Sequence, residues 1–169
     1  MKYCENLTKS HEKCQLYPNV LSKALDLFQG EGCALIASPF SLSDYIVING
    51  DQLEAESTLA AGKTVFQKSK SVDLIFGVES VDGNVKEFQF VELKLRTKNF
   101  FHLDKFSFRD KVNSSTIALG TSEKISSKYY IVFKKEILNQ AERFLFRINP
   151  KLNNDFKAID PEGLHALFF

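Results

Sequence analysis

The chain has 169 residues, 44% of them hydrophobic, a size that suits one domain with a sizeable core. Its 22 Lys and Arg against 21 Asp and Glu leave a formal net charge of +1, which excludes a strongly basic, non-specific nucleic-acid coat. No apolar run reaches the ~18 residues that a membrane-spanning helix needs.

Residues 1–16 are polar and mixed, and read as a loosely held lead-in or a short helix. The start, Met-Lys-Tyr-Cys-Glu-Asn, lacks the apolar centre of a secretory leader, so a cytoplasmic protein is expected. Cys4, Cys14 and Cys33 are odd in number and suggest reduced thiols. Together with His11 they could be imagined around zinc, but the spacing matches none of the usual paired-cysteine patterns. Ordinary small side chains are the preferred reading there.

From Pro18 onward, Val20, Leu21, Ala24, Leu25, Leu27 and Phe28 recur at helical spacing, and Gly30 and Gly32 close the helix. Cys33 to Ala37 and Tyr45 to Ile48 have strand character on either side of Ser38-Pro39. They form an extra hairpin, or only the second is a strand. Asn49-Gly50-Asp51 makes a turn into a helix over Gln52 to Ala61, with Asp51 as its cap. On that helix Leu53, Leu59 and Ala60 set the apolar direction; Glu56 falls almost in its middle and Glu54 faces solvent. A lone Glu on an apolar face is a paired carboxylate, or else the buried face of the helix runs in another direction. Thr64-Val65-Phe66-Gln67, within Lys63 to Lys70, reads as a short first core strand.

The central stretch, Ser71 to Arg96, holds two apolar runs on either side of Asp82-Gly83, a two-residue hairpin signal. With Val81 facing Asn84, Ile75 faces Phe90, Asp73 faces Glu92, and Glu79 meets Lys86 as a favourable pair. Period-two alternation then puts Lys94 on the face of Glu92. That face also carries Ile75, Phe88 and Phe90, and the other carries Val72, Leu74, Phe76, Val91, Leu93 and Leu95. Apolar residues on both faces predict a hairpin covered on both sides. Three charged groups at one end of it are costly to bury unless they bind something.

Beyond Thr97-Lys98-Asn99, the segment from Leu103 to about Leu119 is expected to be helical. Tyr129 to Phe133 is a clear strand that returns beside the hairpin. A helix over Lys135 to Arg147 ends before Pro150. The tail closes on Leu164, Leu167, Phe168 and Phe169, which dock on the body of the domain or join a dimer contact.

Asp73 followed by Glu92-Leu93-Lys94 resembles the signature of the PD-(D/E)xK nuclease superfamily, which sets an aspartate on one strand and a Glu-x-Lys triplet on the next. The resemblance covers roughly residues 50–135, with Val72 in place of the motif's proline. It implies an α/β fold, a mixed sheet flanked by helices around an α-β-β-β-α-β core. Residues 1–49 would extend that core at its N-terminal side, and a C-terminal helix and tail would occupy residues 136–169. The implied activity is hydrolysis of DNA with Mg²⁺ or Mn²⁺. Asp73, Glu92 and the Leu93 carbonyl would be ligands, Lys94 would orient or deprotonate the attacking water, and Glu56 would serve a second ion or the outer shell.

Arg96, Lys98, Lys105, Arg109 and Lys111 follow the site closely. They are phosphate contacts or a solvated face. A domain of this size implies that specificity comes from a homodimer, a partner protein or DNA shape. Two competing readings stand beside the nuclease. One is a plain Asp-Glu-Lys salt-bridge cluster. The other is an immunity- or antitoxin-like protein-binding module with a vestigial acidic cluster. No Walker or Rossmann glycine loop is present, and His102 and His165 lack a sequence-local nucleophile partner.

Overall fold

The two runs around Asp82 and Gly83 pair with each other at the centre of a seven-stranded mixed sheet. The computed structural model describes residues 1–33, 40, 44–101, 103–148 and 155–169, and for residue 105 the backbone alone. In chain order the elements are β1 (Lys2–Tyr3), α1 (Glu5–Ser10), α2 (Glu12–Leu16), β2 (Leu21–Lys23), α3 (Ala24–Gly30), β3 (Ile46–Asn49) and α4 (Gly50–Ala60). The hairpin strands β4 (Leu74–Glu79) and β5 (Lys86–Leu93) come next, followed by α5 (Lys105–Leu119) and β6 (Tyr129–Val132). The chain then adds α6 (Leu138–Ile148), β7 (Phe156–Ile159) and α7 (Pro161–Phe168). The sheet order is β2-β3-β4-β5-β6-β7, antiparallel as far as β5 and parallel from β5 to β7, with β1 beside the far end of β4.

Ile75 lies opposite Phe90 and Glu79 opposite Lys86, the register expected from the sequence. The turn itself is wider than expected. Ser80 N donates to Val85 O (2.9 Å) and Gly83 N to Ser80 O (2.9 Å), so four residues, 81–84, form the loop. The longer loop is centred on the same Asp82–Gly83 peptide, which is why the register is unchanged. Gly83 adopts φ +71°, the left-handed region that glycine enters without strain.

Both faces are covered. Ile75, Phe88, Phe90 and Ile131 pack with Leu53 of α4, Phe108 and Val112 of α5, and Ala141 and Leu145 of α6. Leu74, Phe76, Val91 and Leu93 pack with Phe28 of α3 and with Leu164 and Phe168 of α7. Val72 belongs to the first face, not the second as expected, because it precedes the regular part of β4 and the alternation does not extend to it.

Several expectations need correction. Residues 1–16 follow the second of the two expectations, with short helices α1 and α2 in place of a loose lead-in: β1 pairs with β4, and Thr8, His11 and Cys14 are buried. Cys4 N donates to Gly77 O (2.8 Å) and Thr8 Oγ1 accepts from Gly77 N (2.9 Å), so α1 is bonded to the strand beneath it. The helix expected from Pro18 begins only at Ala24. Leu21–Lys23 is drawn into pairing with β3, a non-local partner that outweighs helical spacing. The strand expected at 63–70 is a short 3₁₀ turn, Val65–Gln67, with every residue from 61 to 70 exposed.

The strand beside β4 is instead β3, so the order is β3-α4-β4-β5-α5-β6, with the helix after the first strand and not before it. In the tail, β7 pairs in parallel with β6, a strand that the sequence reading did not anticipate. Residues 34–37 of the run from Cys33 lie outside the described residues. Among the described residues no helix is long and apolar enough to cross a membrane.

Candidate functional site

The site begins where α4 meets the end of β4. Gly50 N donates to Asp73 O (3.1 Å), and a Cβ on Gly50 would stand 1.9 Å from the carbonyl oxygen of Val72. Only glycine permits that approach, and it sets the next residue, Asp51, in a cleft of about 210 Å³ that Asp73 and Leu93 also line. Asn49, not Asp51, caps the helix: its side chain accepts from Gln52 N (3.1 Å). Asp51 is therefore free of the capping role, and its Oδ1 accepts from Ser71 Oγ (2.8 Å) and Lys68 Nζ (3.2 Å).

The hairpin supplies the rest. Asp73 N donates to Val91 O (3.1 Å), one residue out of step with the ladder, which ends at Leu74 opposite Val91. The expected pairing of Asp73 with Glu92 is therefore not made, and the Asp73 carboxylate accepts from Leu93 N instead. Glu92, on the same face as Phe90, is buried beneath α5, its side chain 5% exposed. Two ammonium groups meet it. Lys94 donates to Glu92 Oε1 and also lies 3.3 Å from Leu93 O. Lys111 comes down from α5 to 2.7 and 2.8 Å from the two Glu92 oxygens, and to 3.8 Å from Asp73 Oδ1. The structure thus brings Asp73, Glu92 and Lys94 together and adds Lys111, which the sequence reading had placed among surface phosphate contacts.

The electrostatics follow from this crowding. Burial, and then the neighbouring Glu92 carboxylate, push the Asp73 carboxyl up to about 6; Lys111, the Leu93 N–H and Lys94 offset only part of that. Lys111 is itself buried, which would lower its pKa, but Glu92 and Asp73 outweigh burial and hold the ammonium above its ordinary range. Burial would raise Asp51. The Ser71 hydroxyl and Lys68 outweigh it and bring that carboxyl below its usual range.

The other candidates fall elsewhere. Glu56 is not brought to the cluster: its Oε1 accepts from Asn19 Nδ2 (2.6 Å) and Gln52 Nε2 (3.2 Å). Glu54, expected in solvent, is buried and accepts from Ser69 N (3.1 Å). The buried face of α4 runs through Gly50, Leu53, Glu54 and Thr58, while Leu59, which had set the expected direction, is exposed. Asp51 is exposed, yet it lines the cleft with Asp73. It was missed because a cap residue explained it locally; Gly50 before it was the available signal.

Arg96 and Lys98 are exposed, and the Arg96 guanidinium donates to Gly30 O at the end of α3. Arg109 is exposed on α5, and the side chain of Lys105 lies outside the described residues. The imagined zinc group is dispersed. The Cys4 thiol donates to Glu79 Oε2 (3.3 Å), Cys14 is buried, and His11 Nδ1 accepts from Lys13 N (3.2 Å) while its ring packs edge-on against Phe88. His165 lies among Phe40, Tyr45 and Phe169, and His102 is outside the described residues.

Among the described residues, no three His, Cys, Asp or Glu side chains gather closely enough to hold a metal ion unaided. The cluster offers two carboxylates and a backbone carbonyl. Those are hard oxygen donors, and Mg²⁺ is commonly bound by one or two carboxylates with water and substrate phosphate completing the set. The donor set fits such an ion, with Lys94 and Lys111 already standing against the two carboxylates. No protein-family profile, curated protein or solved structure matches this chain.

Proposed function

We propose that this protein is a metal-dependent phosphodiesterase acting on DNA, with Asp73, Glu92 and Lys94 as its catalytic residues. The observation that carries the reading is the Asp73 carboxyl. It is held against Glu92 in a half-buried pocket, with its pKa raised to about 6, and two lysine ammoniums stand beside the pair. A cation site crowds acids in this way, and a carboxyl raised by burial and a neighbouring acid is a mark of functional sites.

In this proposal Asp73 and Glu92, with the Leu93 carbonyl, hold Mg²⁺ or Mn²⁺. Bound there, the ion supplies Lewis-acid stabilisation of the phosphoryl oxygens and a water of lowered pKa. Lys111 keeps its two bonds to Glu92 and so fixes the orientation of that carboxylate. Lys94, the more exposed of the two lysines at 26%, turns from Glu92 to hold the attacking water and offset charge building on the phosphate. Asp51, across the cleft from Asp73, carries the outer-shell role that the sequence reading gave to Glu56. Arg96 and Lys98, with Lys105 and Arg109 further along, contact phosphates of the substrate, and a second copy or partner protein supplies specificity. Cys4, Cys14 and Cys33 form no disulfide, which accords with a reducing, cytoplasmic setting.

Purified protein is expected to nick supercoiled plasmid with Mg²⁺ or Mn²⁺ and not with EDTA. Lys94→Ala should lower the rate at least about 100-fold with an unchanged circular dichroism spectrum, since Lys111 still pairs Glu92. A second reading, the protein-binding module, draws on Lys94 and Lys111 neutralising Glu92 without an ion and on the exposed Phe101, Phe106 and Phe146. Plasmid left intact, together with a thermal midpoint indifferent to Mg²⁺ and Mn²⁺, would select it, because a ligand of the folded state must stabilise that state.

A further inference from the structure

The turn at residues 63–70 has an unusual makeup. Phe66 is exposed over its whole surface and Val65 over about half. Single exposed apolar residues are ordinary, but this one sits on a turn that is held in shape. Thr64 N donates to Gln67 Oε1 (3.0 Å), and Gln67 N donates to Thr64 O (2.9 Å). The Thr64 side chain completes a capping box with Gln67. The turn is also anchored behind, where Ser69 N donates to Glu54 and Lys68 Nζ to Asp51. A phenylalanine is therefore presented to solvent on a fixed mount.

Along the chain its charged neighbours are all cationic, with Asp51 and Glu54 meeting the turn only from α4. Lys63, Lys68 and Lys70 flank it, each exposed, and the chain carries no acidic residue from Ser57 to Val72. Position adds a second, independent observation. Lys68 touches Asp51, which shares a cleft with Asp73. The Cα of Phe66, two residues from Lys68, lies within about 7 Å of the Cα of Lys68.

An aromatic face bracketed by cations, beside a site that handles phosphate esters, matches how sequence-independent nucleic-acid contacts are built: bases stack on the ring and phosphates pair with the lysines. We propose that this turn is a nucleic-acid contact, with Phe66 seated on a nucleobase while Lys63 and Lys70 hold the phosphates of the same strand, so that the strand is led into the cleft that Asp51 and Asp73 line. The choice of a nucleic acid over another anionic surface rests on the hydrolase reading. The turn itself does not.

The chain contains no tryptophan, so Phe66→Trp places the sole indole at the contact. In EDTA, where nothing is cut, its emission should be quenched as a single-stranded oligonucleotide is added. Phe66→Ala and Phe66→Leu should bind that oligonucleotide about tenfold more weakly, and Phe66→Trp should retain affinity. Lys63→Ala with Lys70→Ala should flatten the log–log salt dependence by about 1.4. All these positions are exposed, so thermal midpoints should hold.

The inference is overturned by binding that leaves the indole emission of Phe66→Trp unchanged, by equal affinity of Phe66→Ala, or by no binding at all. Emission that responds to phosphatidylserine vesicles and not to DNA would reassign the turn to a membrane surface. Quenching with no cleavage under Mg²⁺ or Mn²⁺ sinks the hydrolase and keeps the contact. Cleavage with Phe66→Ala unimpaired in binding does the reverse.

Discussion

Asp73 is where folding and the proposed chemistry pull in opposite directions. An aspartyl group raised from 3.8 to about 6 on folding binds more protons in the native state than in the unfolded chain across that window. Stability therefore falls as pH rises from about 4 to 6, by about 3 kcal/mol in all, and stays lower above it. Lys111 works the other way: its raised pKa contributes stability present at all pH below its ordinary 10.5, lost only as the ammonium titrates above that. Asp73→Asn keeps an acceptor for Leu93 N and removes the conflict with Glu92. It should stabilise the protein at pH 7 by about 1–3 kcal/mol, abolish the decline between pH 4 and 6, and abolish cleavage. Urea titrations at several pH values measure the first two, and a loss of stability at pH 7 would contradict the crowded-carboxylate account.

The element that decides the site is the first turn of α4. A methyl group on Gly50 would fall 1.9 Å from a backbone carbonyl oxygen of residue 72, and backbone cannot rotate aside as a side chain can. Gly50→Ala should cost about 3 kcal/mol and displace Asp51 from the cleft, lowering cleavage as well as the thermal midpoint. Gly30, at the end of α3, would meet nothing within 4 Å, so Gly30→Ala is the neutral control. The hairpin is more tolerant. Its register is set by period-two patterning on both strands, so a loop of four residues serves as well as one of two.

Across the whole molecule, the sheet separates two cores that share its central strands. Phe76 is fully buried on the α3–α7 side, and Phe90 is fully buried on the α4–α5–α6 side. Phe76→Ala and Phe90→Ala should each cost about 3–5 kcal/mol. Because β4 and β5 belong to both cores, each variant should still unfold in one transition by fluorescence and by circular dichroism. Two separated transitions would show that the cores are independent units.

The sequence by itself determined the central pairing, the faces of β5, the strand at Tyr129 and the helices that end near Leu119 and Ile148. Each of these rests on periodicity within one segment or on a sum rule across one turn. It also anticipated that Asp73, Glu92 and Lys94 lie close together, although the ladder ends at Leu74 and Asp73 does not pair with Glu92 as the sum rule had it. Only the tertiary structure decided that Asp51 and Lys111 complete the cluster, that Glu54 and not Glu56 is buried, and that β3 rather than residues 63–70 lies beside β4. Those outcomes depend on which element covers which face, and a partner distant in the chain leaves no local period to read. Phe66 shows the same limit from the other side: an apolar residue in a strand-like run stands in solvent because no neighbouring strand came to pair with it.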